Sequence, residues 1–324
     1  MEILEFKPIL KPLVWGGEKI PPFKGIKTEL SHIGESWEIS NVPGDESIVE
    51  GGSFKGRGLT GLVKEFKGRL VGEKVYARTG DEFPLLFKFI DAAGDLSIQV
   101  HPDDALAARL HGPGFNGKTE MWYVVGAEPG AKLYSGLNRE ITPAEYEAKV
   151  EDGSITDVLA CYEVRPGDVF FLPARRIHAI CKGCFIAEIQ QTSDLTYRIY
   201  DYKRLGLDGK PRQLHTEQAK KAIDYKVYPS YRTEYQSGKN ERVELVSCKY
   251  FTTSLYDLDK PLEEDLSGLD SFAVLMCLEG GGTVESDGSS RKVRRGTTVL
   301  IPAENKKLRL IPDGEAKFLC SWID

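Results

Sequence analysis

Short runs of β-branched and aromatic residues, broken by Gly, Pro and Asp, recur along the chain. In Ser97-Ile98-Gln99-Val100-His101 the apolar Ile98 and Val100 alternate with Ser97, Gln99 and His101. That period of two predicts a strand end with Gln99 and His101 on one face. Pro102 stops the pairing, and Asp103-Asp104 cap a short helix through Ala108. Pro84 to Ile90 is almost uniformly apolar, as in a strand covered on both sides. Gly34–Ser40, Glu120–Val125, Cys161–Val164, Val169–Leu172 and Cys184–Gln190 are further strands. Apolar positions at Leu62, Val63, Phe66 and Leu70 predict an amphipathic helix over Thr60–Leu70, started by Thr60. Thr142-Pro143 opens another, running through Ala144 to Val150 with Pro at its first position, and Leu214–Asp224 makes a third. Many short strands with Gly/Pro turns predict a mainly β protein, a barrel or sandwich with helices added outside.

An internal repeat sharpens this picture. Val164–Ala174 aligns without gaps on Val293–Ala303, offset by 129 residues and identical at five of eleven positions, including the turn Gly and the Pro. The same tight hairpin is expected twice, each time in the second half of a small β-barrel. Tyr228–Asn240 is polar and turn-like, a linker, which places a first domain at 1–235 and a second at 236–324. The position equivalent to His178 is Lys307, and no His follows His215. The second copy is therefore expected to keep the architecture without metal ligands, as a structural element or a partner surface.

Composition narrows the function classes. Hydrophobic residues make up 41% and charged residues 28%, an ordinary globular balance. A net charge of −6 gives no reason to expect nucleic acid. An anionic ligand would need a local cluster of Lys and Arg. The start of the chain lacks the features of a signal peptide, and no apolar run reaches the roughly 18 residues of a membrane span, so a cytoplasmic protein is expected. The six cysteines include one ligand-like pair, Cys181 and Cys184, without the second pair of a zinc ribbon; reduced structural thiols are expected.

Only five histidines are present. His101 shares its face with Gln99, and His178 follows the Gly167–Pro173 hairpin at the mouth of the inferred barrel. Glu120 opens a strand, as a solvated end or an inward ligand. Together Gln99, His101, Glu120 and His178 supply two imidazoles, a carboxylate and an amide oxygen. Zinc accepts such a set, and so do non-haem iron and manganese. Lys118, two residues before Glu120, would face the same side of an extended segment. Arg198 stands among Tyr197, Tyr200 and Tyr202, either stacked on the surface or holding an oxyanion bidentately. His111 and Lys226 are read as surface residues.

These residues carry a resemblance. The segments Val14–Gly17, Gly34–Glu38, Leu96–Asp104, Gly117–Tyr123, Pro173–Ala179 and Gln191–Asp201 resemble, in order, those of the type I mannose-6-phosphate isomerases in their short bacterial form. The resemblance implies two cupin-type jelly-roll barrels with added helices and one Zn²⁺ per chain. It places the metal ligands on Gln99, His101, Glu120 and His178 and the active-site arginine on Arg198. Gln99-Val100-His101 stands where other cupins carry a His-x-His pair, which argues against the oxygenase cupins. Arg175-Arg176 replace the small residues that many relatives carry before the His, which bears on substrate preference.

The implied reaction interconverts mannose 6-phosphate and fructose 6-phosphate, so the expected partner is a small sugar phosphate. A cation on the sugar oxygens would stabilise an enediolate, and redox-inert zinc suffices. Water on the metal, Lys118 or a neighbour of the ligands would carry the proton. Arg198 is expected to steady the intermediate, and Lys118 to serve the phosphate or the hydroxyls. The rival readings are an iron-dependent cupin oxygenase and a sugar-binding module without chemistry.

Overall fold

Alternation and uniform burial sort the strands into three large antiparallel sheets. The computed structural model covers Met1–Asp324. A seven-stranded sheet runs in the order 232–233, 169–172, 120–127, 184–191, 85–91, 33–39, 9–17. A five-stranded sheet runs 159–163, 132–137, 178–180, 98–100, 197–200. These two form the first barrel, and their strands supply Gln99, Glu120 and His178, with His101 just past a strand end. The strand Leu85–Asp91 is buried along its whole length, as its apolar run predicts. The helix after the opening stretch is Asp104–His111, and the Asp103 carboxylate accepts from the Leu106 N–H at 2.8 Å. Thr142 caps Pro143–Asp152 in the same way, accepting from the Glu145 N–H.

The helix expected over Thr60–Leu70 is two helices. The first spans Leu59–Phe66, with Gly58 rather than Thr60 at its cap, and Lys67 adopts φ +50° before Gly68–Val71 resumes. A left-handed residue ends an α-helix whatever the hydrophobic period on either side. The helix expected over Leu214–Asp224 is shorter, Thr216–Ala222. Nor is the 228–240 segment a loose linker. Arg232–Thr233 adds an edge strand beside Val169–Phe170, and the Tyr231 and Tyr235 hydroxyls donate to the Leu137 and Gly167 carbonyls.

The third sheet is the C-terminal barrel. Its spine is Ala273–Ser286 paired with the long strand Lys307–Trp322. The repeated hairpin recurs in three dimensions. Gly167 and Gly296 both take positive φ, +93° and +82°, ahead of the strands Val169–Leu172 and Thr298–Ile301. Just as His178 opens a strand after the first copy, Lys307 opens one after the second. Leu4 and Glu5, from the start of the chain, pair with Leu300 and Val299 at the edge of this sheet. One apolar cluster joins the barrels, with Leu62 and Val71 packed among Phe83, Phe251, Phe272 and Leu319.

A buried ion pair pins that junction. Lys24 donates to Glu38 at 2.6 Å and also to the Gly296 carbonyl of the second hairpin, while the Ser36 hydroxyl donates to the other Glu38 oxygen. Losing one partner of such a pair costs about 3–5 kcal/mol, so it holds the register between barrels even where its net contribution to stability is small. All six cysteines are free thiols, and Cys161 alone is exposed. No helix is long and apolar enough to cross a membrane.

Candidate metal centre and its cavity

The strand Ile98–Val100 lies between His178–Ile180 and Tyr197–Tyr200. Its register sets Gln99 opposite His178 on one side and opposite Arg198 on the other. Residues directly opposite share a face, so His178, Gln99 and Arg198 stand in a row across three strands. His101 lies one residue past the strand end and joins them. From the facing sheet comes Glu120, fully buried at the start of Glu120–Ala127. His101 Nε2 is 3.5 Å from one Glu120 oxygen and His178 Nε2 is 3.3 Å from the other. The Gln99 amide is 3.3 Å from His178 Nε2, and a flip of that amide presents its oxygen instead.

The donor set fits a divalent cation. The Nδ1–H of each imidazole donates to a backbone carbonyl at 2.8 Å, His101 to Leu195 and His178 to Arg176. Those bonds fix the tautomers and turn the Nε2 lone pairs toward Glu120. Burial, reinforced by Lys118, pushes His178 down to about 3 and His101 well below the usual histidine range, so both rings are neutral. Glu120 Oε1 is buried without a hydrogen-bond donor. Burial and the nearby Glu188 hold the Glu120 carboxyl above its ordinary range, against the pull of Lys118. Two lone pairs and an undonated carboxylate oxygen converge within 4.8 Å, an arrangement that a cation completes.

Lys118 reaches this cluster, with Nζ 3.1 Å from His101 Nε2 and 2.5 Å from Glu120. Its backbone is clamped on both sides. The Gly117 N–H donates to Asp104, the Lys118 N–H to the Pro102 carbonyl and the Thr119 N–H to Gln191. Asp104 also accepts from the Tyr250 hydroxyl at 2.7 Å, so a turn of the C-terminal barrel touches the segment that carries Lys118.

A cavity of about 180 Å³ opens beside the cluster. Gln99 and the buried Lys118 form its inner end, and the half-buried Arg198, Thr196 and Arg212 with the exposed Asp194 form its outer end. Trp15, Trp37, Ile90 and Ile180 supply apolar walls. Larger hollows of about 1050 and 470 Å³ lie on the C-terminal barrel, but they are open grooves without a converging set of donors. Chemistry rather than size selects the smaller cavity.

Arg198 is not stacked on its tyrosines. It donates from Nη1 to the Gln213 carbonyl at 2.9 Å, its Nε is buried without a partner, and Tyr200 and Tyr202 pack edge to face on each other. Arg175 and Arg176 leave the cavity free. Arg175 pairs with Asp103 at 3.3 Å, while Arg176 lies over the Tyr228 and Tyr231 rings. His111 and Lys226 are exposed, as expected.

Residues that the periodicity did not single out complete the wall. Lys88 faces Glu188 across the sheet, and its ammonium lies 3.5 Å from both Glu188 and Glu35. Glu188 also accepts from the Trp122 indole at 2.7 Å. Burial works against the Lys88 charge, but Glu35, Glu188 and Glu120 outweigh it and raise its pKa. The available signal was a charge inside an apolar strand, Lys88 in Leu85–Asp91 and Glu188 in Cys184–Gln191. We expect Lys88→Met to leave the buried Glu188 and the half-buried Glu35 without their shared counter-ion and to lower stability by about 3–5 kcal/mol. The urea midpoint measures this loss, and adding Glu188→Gln should recover part of it. A midpoint equal to wild type would show that Lys88 is not their counter-ion.

Comparison with known proteins identifies the family of the chain. The family model for the phosphomannose isomerase type I catalytic domain matches residues 6–124, and that for the mannose-6-phosphate isomerase cupin domain matches residues 241–322. Mannose-6-phosphate isomerase ManA of Bacillus subtilis is 34% identical over 99% of this chain and 99% of its own length. The mannose-6-phosphate isomerase of Streptococcus mutans is 31% identical over 95% of this chain and 94% of its own. The crystal structure of the mannose 6-phosphate isomerase from Bacillus subtilis superposes over 99% of each chain, with a TM-score of 0.88 at 30% identity. This chain belongs to the type I phosphomannose isomerases, a family of the cupin fold.

Proposed function

We propose that the chain interconverts mannose 6-phosphate and fructose 6-phosphate, with Gln99, His101, Glu120 and His178 holding one Zn²⁺. The observation that carries this reading is the convergence of His101, Glu120 and His178 beside a small cavity that Gln99, Lys118 and Arg198 line. The difficult step removes a proton from the carbon beside a carbonyl. A divalent cation held by the four residues supplies Lewis acidity toward the sugar oxygens, and no redox change is required of it. The chain's residues do the rest. Lys118, clamped through the backbone on both sides, is placed at the inner end to pass the proton between C1 and C2. Arg198 directs a guanidinium fork at the oxygen where enediolate charge develops. Trp15 and Trp37 give the sugar an apolar wall and limit the entry of water.

A coupled assay that follows fructose 6-phosphate formed from mannose 6-phosphate tests the proposal, together with metal analysis of protein purified without added metal. Zinc content with turnover is expected. Iron content with oxygen uptake and no isomerisation would favour the oxygenase reading instead, but the Gln99 amide in place of a second histidine favours the isomerase.

A further inference from the structure

A chain of net charge −6 that takes a dianionic substrate needs concentrated positive charge somewhere. Two of the cavity's four cations are already committed. Lys88 is held between Glu35 and Glu188, and Lys118 is engaged by Glu120 and His101 at the inner end. The outer end is different. There Asp201, only 5% exposed, gathers two arginines. Arg204 donates from Nε and Nη2 to one Asp201 oxygen at 3.0 and 2.8 Å. Arg212 donates from Nε at 2.7 Å and Nη2 at 2.6 Å, one bond to each oxygen.

Arg198 adjoins the same group. The segment carrying Arg212 folds back so that the next residue, Gln213, accepts from Arg198 Nη1 and His215 N–H donates to the Arg198 carbonyl. Burial depresses the Arg198 pKa, and the charge of Arg212 adds to that, as expected of two cations held close together. Three guanidiniums against the buried carboxylate of Asp201 and the exposed one of Asp194 leave a surplus of one positive charge. A phosphate monoester carries close to two negative charges near neutrality. Nη1 of Arg212 and Nη2 of Arg198 meet no protein acceptor. Arg212 therefore keeps its salt bridge to Asp201 while offering the other edge of its guanidinium to the cavity that it lines.

We propose that Arg212, oriented by Asp201, anchors the substrate's phosphate at the outer end of the cavity. This assignment rests on the isomerase reading and adds a direction to it. The sugar lies with C1 and C2 at Gln99 and Lys118 and with C6 toward Arg212, and Arg198 borders both ends. Asp201 is a positioning residue. It fixes the plane of the Arg212 fork and keeps Arg212 and Arg204 together despite their like charge.

The experiment is steady-state kinetics of the metal-loaded enzyme, with inorganic phosphate as a competing ligand. Arg212→Gln should raise KM for mannose 6-phosphate at least about tenfold, the scale of a lost charged hydrogen bond, while kcat stays within about threefold. Inorganic phosphate should inhibit wild type competitively and lose affinity in the variant by a similar factor. Arg212→Lys, which keeps the charge and loses the fork, should fall between them. Unchanged KM and unchanged phosphate inhibition in Arg212→Gln would overturn the assignment, and so would a collapse of kcat at constant KM. Failure of the isomerase reading would look different. Wild type itself would then not turn over mannose 6-phosphate, and calorimetric titration of wild type and both variants with inorganic phosphate would still decide whether Arg212 holds the anion. Should Arg212→Gln fail to fold, the Arg212→Lys comparison carries the test alone.

Discussion

Glu120→Gln is expected to weaken divalent-metal binding by at least about 10²-fold, more than loss of a typical outer-shell partner, and to take isomerase turnover down with metal content. The reason is the composition of the donor set. In the proposed donor set His101, His178 and Gln99 are neutral, so Glu120 would supply its only negative charge. Glutamine keeps the side-chain shape and removes that charge. A bound metal stabilises the folded chain by about 2.7 kcal/mol when present at a hundredfold its dissociation constant. Wild type should therefore melt several degrees higher with zinc than with chelator, and Glu120→Gln should show no such increment at the same zinc concentration. Comparing loaded with chelated protein of the same sequence cancels whatever the substitution does to Lys118, which loses its 2.5 Å carboxylate partner. An undiminished increment in the variant would remove Glu120 from the ligand set.

Arg198→Ala should separate chemistry from metal binding. Turnover is expected to fall at least about 10²-fold, on the scale of a lost oxyanion donor, with metal content unchanged. The guanidinium makes its one protein hydrogen bond to the Gln213 carbonyl and none to the imidazoles or Glu120. The strand beneath it is held by its backbone, since the Arg198 N–H donates to His215 Nδ1 and its carbonyl accepts from the His215 N–H. Truncation should thus leave the row of His178 and Gln99 in place. Arg198→Lys, which keeps a charge without the planar fork, should recover only part of the loss. Wild-type turnover in the alanine variant would exclude Arg198 from the mechanism.

The parts of the molecule legible in the sequence were those governed by local rules. Alternation around Ile98 and Val100 put Gln99 and His101 on one face, and the repeated Gly–Pro frame announced the second barrel 129 residues on. Caps at Asp103 and Thr142 lay where their side chains could reach the third N–H of a helix. The helix break at Lys67 was not legible, because hydrophobic spacing carries on through it and only the backbone angle changes. Lys88 and Glu188 were hidden for another reason. Each sits in an apolar strand whose burial is obvious, and their pairing depends on which strands become neighbours. Arg212 has no periodic context at all. It enters the cavity because the loop doubles back onto Asp201 and Arg198, which is tertiary information.

The pairing of Leu4 and Glu5 with Leu300 and Val299 has a consequence for the order of events during synthesis. Ile3 is fully buried among Tyr256, Val299 and Phe318, all of them made late. At translation rates of about 5–20 residues per second, the first strand leaves the ribosome roughly 15–60 s before its partner exists. The metal-centre barrel has all its strands once Thr233 has emerged, so it can close while the opening residues are still waiting. A nascent chain halted before Thr298 would carry Ile3 and Leu4 unsheltered, an apolar flag marking unfinished synthesis until the last barrel gathers them in.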